Sequence, residues 1–253
     1  MTGIYFSGTG NTRFCLSQFL SKISNNHAMY SIEDNRSVAA ILESKDILFA
    51  YPIYYSNLPK IVRDFIEQNN TLWNGKNIYI IATMGLFSGD GAGVSAQIFK
   101  RYHANIVGGL HLRMPDCIGD VKSLKKPFEE NRKIIQATGD KIDHAANLFL
   151  NHKPTQDGLN LFYHLAGLFG QRLYFRGKTK AYTKNPKIDR ENCIGCGICE
   201  KLCPMQNIHI KNSKATSGDQ CTMCYRCFSS CPKKAITLIG KEVLEQHKIE
   251  RYL

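Results

Sequence analysis

Eight of the chain's ten cysteines fall into two copies of one pattern. Cys193, Cys196, Cys199 and Cys203 are followed by Pro204, and Cys221, Cys224, Cys227 and Cys231 by Pro232. Each cysteine of the second copy lies 28 positions beyond its counterpart, as Ile236 lies beyond Ile208. Two C-x2-C-x2-C-x3-C-P runs are the ligand set of a protein with two iron–sulfur clusters. This segment is expected to fold around metal and to move electrons.

Competing readings of the cysteines are weaker. A disulfide framework belongs to exported chains. The N-terminus Met1-Thr2-Gly3-Ile4-Tyr5-Phe6 lacks the basic and apolar regions of a signal peptide. Four-cysteine zinc sites use two well-separated pairs rather than three cysteines in tandem. The two remaining cysteines, Cys15 and Cys117, read as buried thiols. No apolar run reaches the ~20 residues that span a bilayer, so the expected location is the cytoplasm.

The formal net charge of +12 is uneven. Residues 1–150 carry 16 Lys and Arg against 13 Asp and Glu, and residues 151–253 carry 17 against 8. A basic surface steers acidic partners or anionic ligands toward it.

At 253 residues the chain has room for two domains. The first 150 residues alternate β-rich runs with helical periodicity. Strands are predicted at residues 3–6, 28–32, 46–51, 78–83 and 104–112, and helices at 12–23, 59–68, 91–102 and 128–150. This order implies an α/β fold, a doubly wound five-stranded parallel sheet. Such sheets bind ligands beyond the C-terminal ends of their strands. Residues 152–185 read as a helical and basic connector. Its apolar stretch, 159–175, suits a helix packed between domains or, less well, one lying on a membrane surface. Residues 186–240 form the small cysteine domain, and 241–253 a tail with a short helix.

Ser7-Gly8-Thr9-Gly10-Asn11-Thr12 sits between the first strand and the first helix. Small residues let a phosphate approach the backbone, and the helix N-terminus supplies N–H donors. No P-loop lysine is present, which argues against nucleotide hydrolysis. The segments 51–59 and 82–91 follow the third and fourth strands and emerge at the same sheet edge. Together these loops offer a phosphate cradle, aromatic faces and a glycine-rich wall, a set that suits FMN.

Ser7 to Thr12 resembles the phosphate loop of the flavodoxin family. The resemblance implies that Ser7, Thr9, Gly10, Asn11 and Thr12 hold the FMN phosphate. It further implies that Pro52, Tyr54, Tyr55, Ser56 and Asn57, with Thr83, Met84, Gly85 and Gly89, flank the flavin ring. Tyr54 and Tyr55 are the candidates for stacking on it, although both could instead pack the loop. The cysteine repeat resembles the bacterial two-cluster ferredoxins, small α+β domains, over residues 188–240. In that family the fourth cysteine of each run ligates the other cluster. Carried over, Cys193, Cys196, Cys199 and Cys231 bind one 4Fe-4S cluster, and Cys221, Cys224, Cys227 and Cys203 the other. The whole chain resembles flavodoxin–ferredoxin fusion proteins of anaerobes.

The resemblance implies an electron carrier between two 4Fe-4S clusters, FMN and outside redox proteins, and the basic charge suits a partner with an acidic docking surface. The alternative is an FMN-dependent reductase of a small quinone or nitro compound. Scattered histidines offer no acid–base constellation for it. Nucleic-acid binding lacks any recognition motif.

Overall fold

Alternation along the strands explains the first domain. The computed structural model describes residues 1–54, 57–86, 91–160, 184 and 186–253. Its sheet comprises β1 (Thr2–Tyr5), β2 (Ala28–Ser31), β3 (Asp46–Pro52), β4 (Asn77–Met84) and β5 (Asn105–Arg113). All pairings are parallel, in the order β2-β1-β3-β4-β5. Phe49, Tyr51, Ile78 and Ile80 face one core, and Leu48, Ala50, Tyr79 and Ile81 the other. A parallel sheet covered on both faces needs such apolar runs.

Helix α1 (Asn11–Ile23) buries Cys15, Leu16, Phe19 and Leu20 against the second face, beside α5 (Phe128–Leu150). Helices α2 (Arg36–Glu43), α3 (Lys60–Gln68) and α4 (Gly91–Arg101) complete this domain. Val62, Ile66 and Phe99 cover the first face with Trp73. The Trp73 indole N–H donates to the Ile66 carbonyl at 2.9 Å, satisfying its one donor in an otherwise apolar site. The strands and the four predicted helices appear within two residues of their expected bounds. Helix α2 was not foreseen: only Ser37 and Ile41 of its eight residues are buried, too short an apolar stripe to read.

Past α5, residues 155–157 return along β5. The Gly109 N–H donates to the Thr155 carbonyl, and the Asp157 N–H to the Gly109 carbonyl. The connector expected over 159–175, with most of the basic run after it, lies outside the described residues.

The cysteine domain pairs β6 (Lys187–Ile188) with β9 (Ile236–Thr237) and β7 (Ile208–Lys211) with β8 (Lys214–Ser217), both antiparallel. Two five-residue helices, α6 (Ile198–Leu202) and α7 (Arg226–Ser230), pack together. Each ends at the fourth cysteine of its run, Cys203 or Cys231. The tail holds one 3-10 turn, Ile249–Arg251, and straps back across the first domain. The Ile249 N–H donates to the Thr9 carbonyl at 3.0 Å, and the Leu244 and Glu245 N–H groups to Gly119.

Candidate functional site

The turn after β1 closes on Gly10, whose φ of 98° lies in the left-handed region, and α1 starts at Asn11. Thr12 is buried, and its hydroxyl bonds that of Thr83 at 2.7 Å. Asn11 donates from Nδ2 to the Pro115 carbonyl at 2.8 Å. Both side chains therefore tie loops together, which leaves backbone N–H groups to face a ligand. The Ser7 hydroxyl is buried without a hydrogen-bond partner. Burial without a partner is costly, so an oxygen-rich ligand suits that position.

A cavity of ≈ 210 Å³ lies over this turn. Ser7, Thr9, Asn11, Thr12, Pro52, Tyr54, Thr83, Met84 and Gly85 line it, as the sequence suggests. Gly10 and Asn57 do not. Gly10 faces the outer groove near Ile249, and Asn57 closes a turn with Tyr54 through two backbone hydrogen bonds. Tyr55, Ser56 and Gly89 lie outside the described residues.

Sequence reasoning missed two walls. One is Met114–Ile118, after β5, where Asp116 and Cys117 enter the cavity. Its position at the C-terminal end of a parallel strand was the available signal. Thus Cys117, read as a core thiol, is a cavity residue, whereas Cys15 is fully buried. The other wall is Met223 and Tyr225, on either side of Cys224.

Burial pushes the Asp116 carboxyl up, against the N–H groups of Ile118 and Cys117 that favour its charged form. An acid raised in the fold stabilises it most below the ordinary aspartate range, and that contribution is lost as pH rises through the folded value. Asp116→Asn removes the ionisation. The flavin-free variant should therefore out-melt the parent by a wider margin at pH 8 than at pH 5. A margin that shrinks with rising pH would speak against a buried carboxyl.

The cysteines form two quartets. Cys193, Cys196, Cys199 and Cys231 line one tight cavity, and Cys203, Cys221, Cys224 and Cys227 another. The fourth cysteine of each run thus sits with the first three of the other. Backbone N–H groups of Ala215 and Ala235 reach Sγ of Cys193 and Cys231, and those of Met223 and Asn207 reach Cys221 and Cys203, all at 3.2–3.3 Å. Such bonds favour thiolate ligands. Among the described residues no Cys, His, Asp or Glu group is placed to hold a single metal ion. Each quartet brings together the four thiols that a four-iron cluster requires.

The repeat diverges where it meets the first cavity. Gly195 and Gly197 adopt φ of 65° and 76°. Their counterparts Met223 and Tyr225 hold φ of 59° and 57° with side chains attached. A left-handed non-glycine residue costs about 1 kcal/mol. Here those side chains wall the cavity, and the Tyr225 hydroxyl donates to Asp120 at 3.0 Å. Gly8 lies so close that a Cβ there would stand 2.2 Å from the Cys224 carbonyl oxygen. Arg226 donates to the Ser7 carbonyl at 2.8 Å and forks onto Glu33 with two bonds of 2.7 Å. Its pKa is raised by that carboxylate, despite the opposing effect of burial.

A family model described as "Flavodoxin domain" matches residues 4–109, and one described as "4Fe-4S dicluster domain" matches 192–236. The chain carries a flavodoxin domain followed by a 4Fe-4S dicluster ferredoxin domain. Its cofactors are FMN and two 4Fe-4S clusters, which the orphaned Ser7 hydroxyl and the two thiol quartets fit. A ferredoxin of Methanothermococcus thermolithotrophicus is 38% identical over 55 residues, 20% of this chain and 92% of that protein. An uncharacterized ferredoxin of Methanocaldococcus jannaschii is 37% identical over 73 residues. That match spans 26% of this chain and 46%, less than half, of the relative. The two-electron-reduced flavodoxin of Megasphaera elsdenii is 20% identical with a TM-score of 0.41, covering 55% of this chain and 99% of that one. The two matched domain types support electron transfer. Among the described residues no helix is long and apolar enough to cross a membrane.

Proposed function

We propose that this chain relays electrons in a fixed order between outside redox proteins and its FMN. The outer cluster is held by Cys193, Cys196, Cys199 and Cys231, and the inner by Cys221, Cys224, Cys227 and Cys203. Ser7, Thr9 and the N–H groups opening α1 hold the flavin phosphate, while Pro52, Tyr54, Met84 and Gly85 flank the ring. One observation carries the order. Met223 and Tyr225, neighbours of the inner ligand Cys224, line the flavin cavity itself. A cluster exchanges single electrons and FMN one or two. The chain's own residues hold these groups in line, exclude water and keep the Cys224 carbonyl packed on Gly8.

The test is anaerobic. Metal and flavin analysis should return about eight irons and one FMN per chain. On mixing with a small reduced viologen, iron–sulfur absorbance should bleach before the flavin band. Fewer than five irons after reconstitution, or a flavin that bleaches first, would end this reading.

A second reading, reduction of a small quinone or nitro compound at FMN, has one observation in its favour. Asp116 places a carboxyl with a raised pKa inside the flavin cavity, where a two-electron reduction needs a proton. Quinone turnover that falls in Asp116→Asn, with FMN content unchanged, would support it. Turnover with redox proteins alone would exclude it.

A further inference from the structure

The internal repeat points to an interface. The face presented by Thr222, Met223, Tyr225 and Arg226 is covered by the flavodoxin domain. Met223 and Tyr225 wall the flavin cavity, and Arg226 clamps Ser7 and Glu33. The positions 28 residues earlier are Ile194, Gly195, Gly197 and Ile198. In the first run no described residue of the flavodoxin domain lines this same face. Cys196 is exposed where its counterpart Cys224 is buried. Ile194 and Ile198 are 57% and 38% exposed, two large apolar side chains flanking an exposed cluster ligand. Gly197 has open space where a Cβ would stand, whereas Gly195 is packed against the Ser213 carbonyl of the chain itself.

Charge defines the visitor. The segments holding the outer quartet expose Lys187, Arg190, Lys201, Lys211, Lys233 and Lys234. None of them makes an ion pair among the described residues. Lys233 lines the same cavity as Ile194 and Ile198. Three exposed acids, Asp189, Glu191 and Glu200, share these segments, so the rim stays basic by six charges to three. Asp189 accepts from the Glu191 and Asn192 N–H groups, and Glu200 from the Ile210 N–H. An apolar centre with a basic rim suits a partner with an acidic rim.

We propose that the face of Ile194, Cys196 and Ile198 docks an acidic electron-transfer protein. This rests on the relay order given above. One electron passes between the partner's own redox centre and the outer port. The donor is oxidised and the acceptor reduced by one electron, and no bond or proton is exchanged.

The experiment uses the full chain with its cofactors and two reductants in stopped flow. One is a reduced acidic two-cluster ferredoxin, the other a small reduced viologen. Lys187→Glu/Lys233→Glu should slow reduction by the ferredoxin about tenfold at low ionic strength, with the loss fading as salt rises. Ile194→Ser/Ile198→Ser should slow it at every salt concentration. Each rate is taken per intact outer cluster and set against viologen on the same preparation, so that a loss of iron is separated from a loss of docking. Ferredoxin rates unchanged in both variants, with the flavin still reduced through the clusters by viologen, would overturn the docking site and leave the relay standing. Viologen that bleaches the clusters but never the flavin would overturn the relay, and the docking proposal with it.

Discussion

Cys203→Ala will remove iron from the site built by the second run rather than from the first. Cys203 ends α6, four residues after Cys199, yet it lines the cavity of Cys221, Cys224 and Cys227 and accepts the Asn207 N–H at 3.2 Å. Its loss leaves three thiolates around the inner cluster and four around the outer. About half the iron should remain. Flavin reduction through the clusters should stop, while FMN added to the variant still binds. Double variants decide the assignment. Cys196→Ala/Cys203→Ala strikes both quartets and should hold almost no iron. Cys203→Ala/Cys224→Ala strikes one and should keep about half. The reverse pattern would show that each run serves its own cluster. The effect extends to folding, because a small metal domain draws much of its stability from ligation.

What could be read in advance divides by sequence distance. The cysteine spacing, the strand alternation and the turn from Ser7 to Thr12 are local, and each element carries its own signal. Pairings across the chain carry none. Arg226 meets Glu33 across 193 residues, and Tyr225 meets Asp120 across 105. Neither Met223 nor Tyr225 looks unlike a core residue in the sequence, and only their left-handed backbone marks them as held in place for a purpose. The loop after β5 could have been included on topological grounds, but nothing in Met114-Pro115-Asp116-Cys117 distinguishes it from a surface connection. The short helix expected in the tail is only the 3-10 turn Ile249–Arg251, and the rest is an irregular strap. Its contacts come singly, from Ile249 against α1 and from Gln246 to the Phe228 and Cys231 carbonyls.

Asp120→Ala should uncouple the two domains. Asp120 is 4% exposed and stands on the flavodoxin side. One carboxylate oxygen accepts from the Tyr225 hydroxyl. The other accepts from the N–H groups of Leu238, Ile239 and Gly240 at 2.7, 2.9 and 3.1 Å. The side chain is thus the acceptor for four donors of the ferredoxin domain. Truncation removes this acceptor from all four, at about 1–3 kcal/mol for each that finds no substitute. Even a total near 4 kcal/mol would lower the equilibrium constant for docking by roughly a thousandfold. That is comparable with the whole stability of a small domain. Asp120→Asn is the milder change, because its oxygen can keep the three backbone donors while its NH2 donates to the Tyr225 hydroxyl, at the loss of the charge. Both variants should keep their irons and bind FMN, since Asp120 lines neither quartet nor the flavin cavity. Flavin reduction by viologen through the clusters should slow by two orders of magnitude or more in Asp120→Ala, and by less in Asp120→Asn. Parental rates in Asp120→Ala, with both cofactors at full content, would mean that the Arg226 clamp and the Ile249 strap hold the inner cluster at the flavin without it.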